Sequence, residues 1–87
     1  MEIDQSGTSI EDQVLSAVRL VSALDAREFL VLIGLGNGMS KKAIAAWSNL
    51  TLEDVEGNLA SLMKKLSARS IADAVRIAIY ANLSLHH

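Results

Sequence analysis

The chain has 87 residues, a formal net charge of −2 from eight Lys and Arg against ten Asp and Glu, and a mean hydropathy of +0.31. That length gives room for one small core and no second ligand-binding module, so any signal is expected to reach the protein from outside. The charge balance gives no general attraction to nucleic acid, and with no cysteine there is neither a disulfide framework nor a thiolate metal site.

Half of the residues are hydrophobic (51%), but Phe29, Trp47 and Tyr80 are the sole aromatics, so the expected core is aliphatic and helical. No proline interrupts a helix from within. No apolar run approaches the roughly 18 to 20 residues that span a membrane, and the acidic start MEIDQSGT lacks the basic-then-apolar order of a signal peptide. A cytoplasmic protein without membrane association is expected. Residues 1–8 read as a disordered N-terminus.

Residues 9–23 form the first expected helix. Ser9 with Asp12 makes a capping pair, and Ile10, Val14, Val18 and Val21 recur at helical spacing as one buried stripe. A second helix runs from about Ala26 to Leu35, capped by Asp25 with Glu28. Phe29, Leu30, Val31, Leu32, Ile33 and Leu35 make it apolar almost all round, which places it centrally or between two partners. Gly36, Asn37 and Gly38 supply positive-φ turn residues after it. A short helix from Lys41 to Ser48, starting at Ser40, buries Ile44 and Ala45, and Asn49-Leu50 makes a tight turn. The longest helix, about Leu52 to Leu66, opens on Thr51 with Asp54. It turns Val55, Leu59, Leu62, Met63 and Leu66 to the core. A last helix from Ile71 to about Asn82, capped by Ser70 with Asp73, offers Ile71, Ala74, Val75, Ala78 and Tyr80 for packing. Residues 84–87 read as a tail, and terminal His86 and His87 have no neighbouring ligand with which to bind a metal.

Three segments carry a family resemblance. Leu24-Asp25-Ala26-Arg27-Glu28 is similar to a Leu-Thr-Pro-Arg-Glu opening. Gly38-Met39-Ser40-Lys41-Lys42-Ala43-Ile44-Ala45 resembles Gly-x-Ser-Asn-Lys-Glu-Ile-Ala, and Lys65-Leu66-Ser67-Ala68-Arg69-Ser70 resembles Lys-Leu-Gly-Val-x-Ser. These are patterns of the LuxR-type helix-turn-helix, in register and without a gap. The resemblance implies an all-α, four-helix LuxR-type helix-turn-helix domain over residues 24–83, preceded here by an extra N-terminal helix. It also implies a bacterial transcription regulator that binds double-stranded DNA and pairs, as homodimer or heterodimer, through its last helix at Val75, Ala78, Ile79 and Asn82.

Helix-turn-helix recognition braces a short helix on the phosphates and sets the first turns of a second helix in the major groove. Ser40, Lys41 and Lys42 suit the bracing role, because orphaned amides and two cations meet at one helix start. As an isolated motif they are an ordinary cap with solvated lysines. Lys65 and Arg69 match positions where the family is commonly basic and are further candidate phosphate contacts.

The segment aligned with the family's reading helix departs from the pattern Ser-x-x-Thr-Val-x-x-His. Here it is Thr51-Leu52-Glu53-Asp54-Val55-Glu56-Gly57-Asn58, with carboxylates at two positions where the family often has Lys or Arg. Carboxylates favour a helix N-terminus by about 0.3–1 kcal/mol each, which accounts for their tolerance in the helix but not for their presence on a DNA-reading one. Glutamate can accept a hydrogen bond from cytosine N4, and Asn58 can pair with adenine. Gly57 costs about 1 kcal/mol relative to alanine in a helix, a cost with a purpose if another backbone approaches closely there.

Two readings therefore stand. One is a DNA-binding regulator that reads bases through the face of Glu53, Asp54, Glu56, Gly57 and Asn58. The other is an antiactivator that uses its acidic helix to bind another transcription regulator. Trp47 reads as a partly buried core aromatic, with an exposed partner anchor as the alternative. Nothing supports an enzyme or a cofactor. No cysteine nucleophile exists, the expected folded part has no histidine, the carboxylates fall on caps, and the glycines of the 34–38 segment follow a helix rather than a strand.

Overall fold

The computed structural model describes residues 10–81 as five helices: α1 (Ile10–Val21), α2 (Ala26–Gly36), α3 (Lys41–Ser48), α4 (Leu52–Leu66) and α5 (Ile71–Tyr80). No strand occurs among the described residues. The architecture is the all-α one expected, and α3 and α4 have the bounds read from the sequence. The expected disordered start, Ser9, Asn82, Leu83 and the histidine tail lie outside the described residues.

Local chemistry sets the helix starts. Asp25 and Glu28 form a complete capping box at α2, and Thr51 and Asp54 form one at α4. At α5 the box is half made. Ser70 Oγ accepts from Asp73 N at 3.1 Å, but the Asp73 carboxylate turns to the Arg69 amide at 3.2 Å and to Arg76 Nη2 at 2.8 Å. Of the three residues expected to turn the chain after α2, Gly38 alone has positive φ, at 76°. Gly36 lies in the helix, and Asn37 (φ −96°) closes it.

α2 is the central element, packed against α3, α4 and α5. Its Val31, Leu32 and Leu35 join Ile44 of α3, Val55, Leu59, Leu62 and Leu66 of α4, and Ala74, Ile77 and Ala78 of α5 in one aliphatic core. The α4 row is the one expected from its spacing, with Met63 half-buried at its edge.

α1 packs against α5 and α4, with a face that is only partly the one expected: Val21 is buried and Val14 half-buried, but Ile10 and Val18 turn outward. Ala17 and Val21 are buried, whereas Ile10 and Val18 are 70% and 48% exposed. A spacing of three or four residues fixes a stripe only to within a rotation about the helix, and which stripe is buried depends on the partner surface.

α5 brings a second correction. Ala78, expected at a dimer contact, is fully buried beneath α2, where a Cβ on Gly36 would lie 3.5 Å from its own. Ile71 and Ile79 are exposed and Val75 is half-buried, so the stripe that α5 offers outward runs through Ile71, Val75 and Ile79. Asn82 lies outside the described residues.

α2 and α3 approach closely at Gly34, where a Cβ would meet Ile44 Cγ1 at 2.6 Å and Cδ1 at 3.0 Å. Ile44 is fully buried and β-branched, so it has no free rotamer into which to withdraw. Gly34→Ala is therefore expected to lower stability by about 1–2 kcal/mol, with the overlap outweighing the gain in helix propensity. Urea unfolding monitored by far-ultraviolet circular dichroism measures it.

Candidate nucleic-acid interface

The path from α3 to α4 is a three-residue turn built from local hydrogen bonds. Asn49 caps α3 in the left-handed region, with φ 61° and ψ 38°. Leu50 N donates to Ala45 O at 3.0 Å, and Ser48 Oγ donates to Ile44 O at 2.6 Å. Leu50 packs on the core, and Thr51 then caps α4. Asparagine is among the few non-glycine residues that enter the left-handed region readily, which is why the chain can reverse here without glycine.

At the start of α3, Ser40 Oγ accepts from Ala43 N at 3.1 Å, and Lys41 and Lys42 stand exposed on the first turn. The outer side of α4 carries Glu53, Gly57, Ala60 and Lys64, all exposed and spaced by four, three and four residues. They share one stripe opposite the buried row of Val55, Leu59, Leu62 and Leu66.

The five α4 residues expected to make base or partner contacts separate by what each already touches. Asp54 accepts from Thr51 N at 3.4 Å within the capping box. Asn58 is half-buried and donates through Nδ2 to Asp54 O at 2.8 Å, so its amide is turned back onto its own helix. Glu56 stands 3.9 Å from Lys41 Nζ, an exposed pair linking the flank of α4 to α3. Glu53 has no partner among the described residues, and nothing lies within 4 Å of where a Gly57 Cβ would be.

The candidate phosphate contacts divide in the same way. Arg69 is exposed at the turn after α4, and Lys42 is exposed at α3. Lys65 is engaged inward: its Nζ donates to Glu28 Oε1 at 2.8 Å. Its neighbour Lys64 is the lysine in line with Glu53, Gly57 and Ala60, and the sequence reading passed over it. Continuing that stripe by one helical step, from Ala60 to Lys64, was the available signal.

Glu28 is the charged residue the core encloses, with 2% of its surface exposed. Its Oε1 accepts from Asp25 N at 2.8 Å and from Lys65, and Oε2 accepts from Ser61 Oγ. These donors, led by Lys65 and then Ser61 and the Asp25 amide, hold its pKa down to about 2 against the opposing effect of burial. The same contact raises the pKa of Lys65.

Trp47 is 44% exposed and outside the core, so it is not the core aromatic the sequence suggested; Leu52, at the start of α4, is 39% exposed. Among the described residues, no group of three or more His, Asp or Glu is placed to hold a metal ion, and no helix is long and apolar enough to cross a membrane.

Residues 22–78, about two thirds of the chain, match the family model described as GerE: Bacterial regulatory proteins, luxR family. No curated protein and no solved structure matches the chain.

The Glu28 network makes stability depend on acid. A carboxyl whose pKa is lowered in the folded state contributes fully above its unfolded value, 4.5, and loses that contribution as pH falls toward about 2. Thermal unfolding of wild type and Glu28→Gln across this range is expected to show a wild-type advantage that is complete above pH 4.5 and disappears toward pH 2.

Proposed function

Because the chain belongs to the luxR family of bacterial regulatory proteins, we propose that it is a transcription regulator acting in the cytoplasm. In this reading it binds double-stranded DNA by setting α4 in the major groove and bracing α3 on the phosphates. The observation that carries this reading is the α3–turn–α4 unit itself, with the cations of α3 and the outer stripe of α4 exposed together. Ser40, Lys42, Lys64 and Arg69 are the phosphate contacts. Lys41 joins them by leaving Glu56, since an exposed pair at 3.9 Å is worth at most about 1 kcal/mol. Lys65 acts indirectly, by holding α4 against Glu28.

With the four cations Lys41, Lys42, Lys64 and Arg69 of each subunit meeting phosphate, affinity is expected to fall with salt at a log–log slope of about −3.5 per subunit. Fluorescence anisotropy on genomic duplexes between low and physiological salt measures the slope. Absence of binding at low salt would overturn the reading.

We infer pairing of two copies through α5, centred on Ile79, which is 61% exposed, with Ile71 and Val75 beside it on the same stripe. Ile79→Glu is expected to give a monomer in sedimentation with little change in fold, whereas Ala78→Glu would place a charge in the core and unfold the protein. A wild-type protein that sediments as a monomer at high concentration would refute the pairing.

One observation favours a second reading, an antiactivator that binds another transcription regulator. Trp47 near the end of α3 and Leu52 at the start of α4 are both exposed, and exposed aromatic and aliphatic side chains of this kind suit a protein-binding surface. Recovery of a partner regulator by the wild type and its loss on Trp47→Ala, with no DNA bound by either, would select it.

A further inference from the structure

The three carboxylates at the start of α4 are not equivalent. Asp54 is consumed by the capping box, and Glu56 lies on the flank facing Lys41. Glu53 is exposed and unpartnered on the outer stripe, and in that stripe it is followed by the two smallest side chains available, Gly57 and Ala60. Resting on the DNA-binding reading above, we propose that Glu53 is the residue that sets base preference, by selecting cytosine.

The relief of the helix supports this assignment. A major groove about 12 Å wide and 8.5 Å deep admits a helix, and the depth of seating is limited by the side chains that point at its floor. Gly57 has none, and open space surrounds it. Ala60 adds only a methyl, which suits the C5-methyl of thymine. The middle of α4 therefore seats low, and Glu53 is the longest side chain of the stripe near the helix N-terminus, the end that meets base edges in this class of domain.

An ionised carboxylate has acceptors only, which excludes pairing with N7, O6 or O4 and leaves the exposed amino groups of the groove, of which cytosine N4 is its usual partner. Lys64, about 16 Å further along at 1.5 Å per residue, lies away from the floor contact and reaches the phosphate rim. The choice of Gly57 over alanine, at a cost in helix stability, fits the same low seating.

Selection from a random duplex library, run in parallel with wild type, Glu53→Ala and Glu53→Arg, tests the assignment. Glu53 is exposed and has no hydrogen-bond or ion-pair partner among the described residues, so each variant is expected to fold as wild type does. Wild type is expected to enrich cytosine at one position of each half-site, with the other three bases bound about tenfold or more weakly there. Glu53→Arg is expected to enrich guanine on the same strand at that position and leave the rest of the motif unchanged. Glu53→Ala should bind all four bases at that position within about threefold. A motif unchanged by both substitutions, or a wild type that binds duplexes without enriching cytosine, overturns the assignment while leaving DNA binding intact. Failure of wild type and Glu53→Arg alike to bind any duplex at low salt overturns DNA binding itself, and the assignment with it.

Discussion

A carboxylate taken out of water must be given its hydrogen bonds by the protein, and in this chain that requirement fixes the position of the long helix. Glu28 closes the capping box of α2 with Asp25, and its remaining acceptor sites are met by Ser61 and Lys65, one turn apart on α4. Two anchors at that spacing define a line on the surface of α4. Together with the buried row from Val55 to Leu66, they set both the height of the helix against α2 and its rotation about its own axis. That rotation is what turns Glu53, Gly57, Ala60 and Lys64 outward.

The same constraint explains how an outwardly acidic protein can keep a helix-turn-helix. Charge counted along the sequence gives three carboxylates on the first turns of α4 and five cations around them, Lys41, Lys42, Lys64, Lys65 and Arg69. In the fold, one carboxylate is a cap, another sits beside Lys41, and one of the lysines is drawn inward to Glu28. The exposed stripe is left with one carboxylate at its N-terminal end and one lysine at its C-terminal end, a gentler electrostatic conflict with a polyanion than the composition of the segment suggests. The conflict is reduced rather than removed, and Trp47 and Leu52 add exposed apolar area to the α3–α4 unit.

The helix that precedes the family match follows another logic. α1 lies along α5 and α4, and in doing so covers one side of α5 with Ala17 and Val21 while the Ile71–Val75–Ile79 stripe stays outward. An amphipathic helix with apolar residues on more than one face has several ways to bury a stripe. Ala17 enters the core and Val18 does not, because the closer approach of α1 to its neighbours favours the smaller side chain at the contact. Ala78 enters the core for a similar reason, since Gly36 on α2 has no side chain to keep the helices apart.

What the sequence determined by itself is what depends on near neighbours. The bounds of α3 and α4, the capping boxes at Asp25 and Thr51 and the core row of α4 are set by hydrogen bonds and spacings within about four residues, and they were legible as such. The family was legible for a related reason, because three motifs in register record the same local geometry. Tertiary structure alone decided which way ambiguous side chains face. It tied the exposed Lys65 to Glu28 and left Lys64 on the outer stripe, turned the Asn58 amide onto its own helix, buried Ala78 and exposed Val18 and Trp47. Each of those outcomes depends on a surface contributed by residues distant in the chain, as Glu28 is from Lys65, and no periodicity within a single helix carries that information.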